Sequence, residues 1–330
     1  MSAVTWSRAW RDASREFWSS EQPSAHFTTS AGPLVAERIA EILREVDDRL
    51  GHPETLHVVD IGCGDGTLLA LVREQCADMN PRARWTGVDV RPLDVVSVES
   101  LVAEAPCALP LGDVRGLVMA HEWLDEIPCD IVERDEDGVD RLVLVDRRGV
   151  EVLGPPLTDD DACAECGVDA GKTRSWLARW WPLAEPGDRA EVGIARDRAW
   201  HWMTELLAGG TALATDYGHV HDERTTRHRH GSLTAYASGS LARPAPDGTA
   251  NLTAHVALDA CMAAVPGTTL TLQREEITAV PLGEEPSAAD VERHFASLRL
   301  RDRDRLGGVG WLRWDARREG HTPASTLPMW

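Results

Sequence analysis

The sequence predicts an α/β protein: a mostly parallel, doubly wound sheet with helices on both faces, carrying an inserted antiparallel and helical elaboration. Three observations predict it. A short apolar run from Leu56 to Ile61 empties into Gly62, Gly64 and Gly66, and a helical pattern with Leu68, Leu71 and Val72 inward follows from Thr67 to about Met79. A second strand reads from Arg84 to Val90. A third apolar run, Gly116 to Ala120, stops at a polar cluster.

The remaining elements follow in order. Val35, Ile39, Leu43, Val46 and Leu50 recur at helical spacing over residues 33–50, with Pro33 suited to a first turn. Beyond Pro128, Ile131 to Val152 reads as an antiparallel meander punctuated by Asp137-Gly138 and Arg148-Gly149. Residues 154–171, rich in Pro, Asp, Gly and Cys, read as a loop, and Lys172 to Ala184 as a helix. Its Trp176, Trp180 and Trp181 suit a lid, a partner surface or core packing alike. From Glu191 the α/β grammar returns. A helix from Asp197 to Ala208 ends at Gly209-Gly210, and a strand from Thr211 to Thr215 stops at Asp216-Tyr217-Gly218. Thr253 is read as the cap of a helix running to Val265, and Thr268 to Val280 as a late strand.

With 330 residues there is room for one large domain with an elaboration, or for two. The expected organisation is an N-terminal segment closing over a cofactor (1–32) and a cofactor-binding half (33–128). An inserted meander with a tryptophan-rich helix (129–190) follows, then the rest of the domain with the substrate-side elements (191–330).

Hydrophobic residues make up 43% and charged residues 27%, a globular balance. Acidic residues outnumber basic ones by 54 to 34, a net charge of −20. That field repels phosphate backbones, so nucleic acid is not expected as a partner and a cationic acceptor is. No apolar run approaches the ~20 residues of a membrane span, so no membrane partner is expected. The first twenty residues lack a continuous apolar core and carry Asp12 and Glu16, which predicts a cytoplasmic protein. Seven scattered cysteines fit a reducing compartment.

The loop after the first strand carries the central inference. Without a Cβ, its glycines let the backbone pass close to a ligand, and ligands of open α/β sheets sit at the carboxyl ends of strands. The spacing is G-x-G-x-G at 62, 64 and 66, with Asp60 two residues ahead. The dinucleotide fingerprint needs one more residue before its third glycine. The pattern therefore favours S-adenosylmethionine over NAD, with Asp89 at the end of the next strand as the acceptor for the ribose hydroxyls.

Along most of the chain the sequence resembles the MidA family of methyltransferases, which includes a mitochondrial complex I assembly factor. The likeness lies in His26-Phe27-Thr28-Thr29-Ser30, in Asp60 to Leu68, and in Ala120-His121-Glu122-Trp123-Leu124-Asp125-Glu126-Ile127-Pro128. It continues in Ala214 to Gly218, Gly231-Ser232-Leu233-Thr234-Ala235-Tyr236 and Asn251-Leu252-Thr253-Ala254-His255-Val256. The resemblance implies a class I, Rossmann-like methyltransferase fold, S-adenosylmethionine as cofactor, and protein arginine dimethylation as the family's characterised activity. The chain departs from the pattern at His121 (family Asn), Glu126 (family Ala) and Asn251 (family acid). The histidine expected soon after Tyr236 is missing, and Asp89 lies in Asp-Val-Arg-Pro rather than Glu-x-Ser-Pro. Several departures touch the acceptor side.

Methyl transfer from a sulfonium needs alignment and exclusion of water more than activation. Carboxylates suit a cationic nitrogen, holding it and accepting its proton. Glu122 is the candidate clamp, with Asp125 second, the two sharing a face if they lie on a helical turn. His121 is a candidate proton acceptor. Asp216, Tyr217 and His255 are candidates for substrate contact or for structural capping. Thr28, Thr29 and Ser30 are candidates to close over the methionine carboxylate, helix capping being the alternative. No metal site is expected: Cys163 and Cys166 lack a second pair, and His219, His221, His228 and His230 read as a solvated loop. A small-molecule methyltransferase and a non-catalytic cofactor-binding assembly module remain alternatives.

Overall fold

Seven strands form the central sheet: β1 (Leu56–Ile61), β2 (Ala83–Asp89), β3 (Glu99–Val102), β4 (Val114–His121), β5 (Leu207–Asp216), β6 (Thr269–Leu272) and β7 (Gly310–Asp315). The computed structural model describes residues 3–20, 30–224, 226–303 and 305–316. The strand order is β6-β7-β5-β4-β1-β2-β3. β1 pairs in parallel with β2 and β4, β2 with β3, and β4 with β5, whereas β7 runs antiparallel to both β5 and β6. The chain leaves β1 towards one edge and returns through β4 towards the other. The switch point, where a crevice opens in such sheets, thus lies between β1 and β4.

Both faces are buried, which a parallel sheet requires. Val58 joins a core under the helices Pro33–Leu50 and Thr67–Gln75, with Ile39, Leu43 and Leu69. Its neighbour Val59 points the other way, into a core with Trp200 and Met203 of the helix Ile194–Glu205 and Cys261 of the helix Leu258–Ala264. That alternation is the two-residue period of a strand.

A second, antiparallel sheet follows. Asp140–Val145 pairs with Asp130–Arg134, with Glu151–Pro156 and with the short strand Val4–Thr5, while Arg189–Val192 lines the outer side of Asp130–Arg134. Its turns are set by Asp135 and Asp146, whose carboxylates accept backbone N–H groups from the residues around Gly138 and Gly149, both at positive φ. The first helix, Trp6–Ser20, packs on this sheet with Trp6, Trp10 and Ala13 buried among Ile131 and Val143.

Several elements differ from the sequence reading. No helix is assigned there to residues 6–20, although Trp6, Trp10, Ala13 and Phe17 fall on one buried face. The helix after the glycine loop ends at Gln75, not near Met79. Residues 154–171 are not a loop: they hold the helix Asp160–Glu165 and the start of Ala170–Trp180. The polar residues that suggest a loop are the caps themselves, Asp159 accepting from Ala162 N and Asp169 from Lys172 N. Trp176 and Trp181 are core residues, packed with Val132 and Leu142.

Gly209-Gly210 does not end a helix but lies inside β5. A Cβ on Gly210 would stand 1.9 Å from the Gly116 carbonyl oxygen, and one on Gly116 would stand 1.9 Å from that of His57. The two glycines let β5, β4 and β1 meet side by side. Thr253 closes a strand, Asn251–Thr253, rather than capping a helix, so His255 sits in the link to the short strand Val256–Ala257. The late strand stops at Leu272 and turns into the short helix Gln273–Glu276. His219 is buried rather than solvated.

Candidate active site

At the switch point β1 ends in the glycine loop. Gly62, Gly64 and Gly66 all take positive φ, at 68°, 58° and 77°, a region that costs other L-residues about 1–2 kcal/mol each. Gly62 N and Cys63 N donate to Val88 O, tying the loop to β2. A Cβ on Gly62 would stand 2.5 Å from the Trp123 ring. Asp89, at the end of β2, accepts from Gly64 N at 3.0 Å and from Arg91 N at 3.1 Å. Asp60 is buried beneath the loop, pushed well above the usual carboxylate range by burial and by the charge of Asp89.

These residues open into a cavity of about 730 Å³, within the span of small-ligand and cofactor sites. Its floor holds Asp60, Gly62, Gly64 and Asp89; one wall holds His121, Glu122, Trp123 and Glu126. Arg11, Ser14, Arg15 and Trp18 of the first helix complete the lining. Two contacts tie that helix across: Arg15 to Glu104 at 2.9 Å, and the Arg91 guanidinium 5.7 Å from the Trp18 ring.

On the β4 side, Glu122 adopts φ 53°, a strained conformation of the kind found at functional sites. Its N–H donates to Thr215 O at 2.8 Å. Its Oε1 accepts from Ser30 N at 2.8 Å and from Ser30 Oγ at 2.6 Å, with His121 Nε2 at 3.4 Å. Tyr217 bonds the same carboxylate. Burial alone would raise Glu122, but His121 and the bonds from His121 and Ser30 hold it down at about 2, so it is ionised. His121 is itself braced, Nδ1 to Thr215 Oγ1 at 2.5 Å and Nε2 to Ser30 Oγ at 3.1 Å.

Asp125 and Glu126 lie on the short 3-10 turn Leu124–Glu126, so Glu122 precedes the turn and shares no helical face with Asp125. Asp125 is buried, with Oδ1 unpartnered, and is pushed up to about 6 by burial and by the charge of Glu122. Glu126 is pushed well above its usual range by burial and Asp125; Asn251 Nδ2 donates to its Oε1 at 2.7 Å.

Asp216, at the end of β5, is committed to the backbone. Its Oδ2 accepts from the N–H groups of Trp123, Leu124 and Asp125 at 3.0, 2.6 and 3.3 Å, and its Oδ1 from Tyr217 N at 2.8 Å. It therefore caps the turn that carries Asp125 and Glu126. The Tyr217 ring stacks near that of His255, centroids 6.4 Å apart. Asp216, Tyr217 and His255 thus stand behind the wall formed by Glu122.

Of the donor-side candidates, Asp60, Gly62, Gly64 and Asp89 line one cavity, and Gly66 starts the helix behind it. Ser30 spends its N–H and hydroxyl on Glu122, whereas Thr28 and Thr29 lie outside the described residues. The sequence reading does not single out Arg196. Buried on the helix Ile194–Glu205, its guanidinium donates to the carbonyls of Asp125, Ile127, Ala254 and His255. Nothing in the local pattern separates it from an exposed helical arginine.

A sheet of this order with antiparallel β7, a glycine-cradled cavity at β1 and an acid ending β2 together define a class I methyltransferase with S-adenosylmethionine as cofactor. Residues 95–274 match the model of a protein family described as "putative S-adenosyl-L-methionine-dependent methyltransferase", and the chain belongs to that family. The match begins beyond the glycine loop and includes Glu122, Asp125, Glu126 and Asn251. Among solved structures, the chain is similar to a COG1565 superfamily protein from Burkholderia thailandensis bound to S-adenosylhomocysteine. The TM-score is 0.71 and the identity 20%, over 95% of this chain and 88% of that one. A native COG1565 superfamily structure from the same organism gives a TM-score of 0.71 at 21% identity, over 95% and 87% of the two chains. No curated protein matches the sequence. Among the described residues, no helix is long and apolar enough to cross a membrane.

Proposed function

We propose that this methyltransferase acts on a cationic nitrogen, a protein arginine in the first instance, in the manner of the MidA enzymes its sequence resembles. The observation that carries this reading is the acidic wall of the cofactor cavity. Glu122 lines it and is held ionised, and Asp125 is buried beside it. A fixed negative charge in a water-poor wall attracts a guanidinium or ammonium and orients its nitrogen by charge-assisted hydrogen bonds. Bound S-adenosylmethionine supplies the electrophilic methyl group. Glu122 is the carboxylate on that wall to which the acceptor nitrogen hands its proton, with Asp125, pushed up to about 6 and with Oδ1 unpartnered, buried behind it.

Transfer of tritiated methyl groups tests the reading, with an arginine-rich peptide and with a cell extract resolved by size. The expected result is label in peptide and protein, recovered as methylarginine after hydrolysis. Label confined to the metabolite fraction would replace the protein acceptor with a small molecule. Tight binding of S-adenosylhomocysteine without label in either fraction would overturn the catalytic reading.

A further inference from the structure

The Glu126 carboxyl faces the cofactor cavity and is held from behind. The turn Leu124–Glu126 places it on the wall, and that turn is fixed by the Asp216 cap and by Arg196 on the Asp125 and Ile127 carbonyls. Asn251, itself buried in the strand Asn251–Thr253, donates to Glu126 Oε1 at 2.7 Å. Among the described residues, Asn251 is the side chain that bonds this carboxyl. Asp89 lines the same cavity.

We propose that Glu126, oriented by Asn251, is a second cofactor-binding carboxyl of this cavity, working with Asp89 on the ribose of S-adenosylmethionine. The inference rests on this cavity being the cofactor site. The two acids are suited to opposite halves of the task. Asp89 already takes two backbone N–H groups, which favour its ionised, acceptor form, and it accepts from the ribose hydroxyls. Burial first, then the charges of Asp125, Asp89 and Glu122, push the Glu126 carboxyl well above its usual range, which favours its protonated, donor form. With Oε1 accepting from Asn251, the other oxygen carries the O–H and donates to a ribose hydroxyl oxygen. A ribose hydroxyl is both donor and acceptor, so one ionised and one protonated acid satisfy it without placing two negative charges side by side.

The test is calorimetric titration of the full chain with S-adenosylhomocysteine and with its 2′,3′-dideoxy analogue. Glu126→Ala is expected to weaken S-adenosylhomocysteine about 10-fold, the cost of a lost buried hydrogen bond, and to leave the dideoxy analogue unchanged. Glu126→Gln, whose amide can still accept from Asn251 and donate to the ribose, should stay within about 3-fold of wild type for both ligands. Glu126→Met keeps the volume without the donor and should behave as the alanine variant, so it serves if that variant fails to fold. The inference is overturned by an unchanged affinity in the alanine or methionine variant, by an equal loss for both ligands, or by a glutamine variant as weak as methionine. Failure of the wild-type chain to bind S-adenosylhomocysteine would instead remove the cofactor reading itself.

Discussion

Asn251 Nδ2 lies 2.7 Å from Glu126 Oε1, joining the strand Asn251–Thr253 to the turn that follows β4. Each of the two residues departs from the MidA motifs that the sequence resembles, and the departures meet. Where those motifs carry alanine and an acid, this chain carries an acid and an amide. In this chain the acid of the pair stands on the cavity wall.

Asn251→Asp should therefore set two carboxyls against each other in a buried site. We expect a loss of about 2 kcal/mol in urea unfolding at pH 7, largely recovered when Glu126→Ala is added. The deficit should grow as pH rises, because a shared proton raises the folded pKa and its contribution is lost on deprotonation. A double variant no more stable than Asn251→Asp alone would show that the pair is not coupled.

Glu122→Gln keeps an acceptor oxygen for Ser30 and removes the charge on the cavity wall. Methyl transfer should fall about 100-fold or more, with S-adenosylhomocysteine affinity within about 3-fold of wild type. Single-turnover kinetics and calorimetry read the two separately. A variant with full transfer rate would move the acceptor clamp to another acid.

Arg196→Met should be among the most damaging substitutions. It leaves four carbonyls, three of them buried, without this donor and frees the turn that presents Glu126. A loss of about 3–5 kcal/mol is expected, checked by chemical denaturation. Arg196→Lys offers a shorter, unforked donor and should recover only part of it.

Acid should loosen the region behind the site. His219, His228 and His255 stand ring to ring, centroids 4.7 and 5.0 Å apart. Burial holds His219 well below its usual range, lowers His228, and brings His255 from 6.5 to about 4. At these three rings the unfolded chain binds more protons than the folded one in that window. Their contribution to stability is therefore full above about pH 6.5 and declines as pH falls towards 4, against an opposite contribution from Asp125 and Asp197, both raised to about 6. The change in Tm between pH 7 and pH 4 is expected to differ by a few degrees between the wild type and His255→Asn, the variant losing less. An identical slope in that variant would mean that His255 does not charge on unfolding.

The sequence by itself determined the glycine loop and the strand ends beside it. The strand Leu56–Ile61, the glycine spacing and Asp89 are local features, and each has one conformation that suits it: an apolar run, positive φ and a strand end. The helix Pro33–Leu50 was legible for the same reason, since its periodicity lies within its own span. Only the tertiary structure decided how the facing wall of the cavity is assembled. Glu122 meets Ser30 across 92 residues, Asn251 meets Glu126 across 125, and Arg196 gathers carbonyls from two separate loops. Gly209 and Gly210 look locally like a helix stop but lie inside a strand, where Gly210 lets its neighbour approach closely. Those contacts depend on long-range packing, and the protonation of the acids depends on burial. Neither is written in any short run of residues.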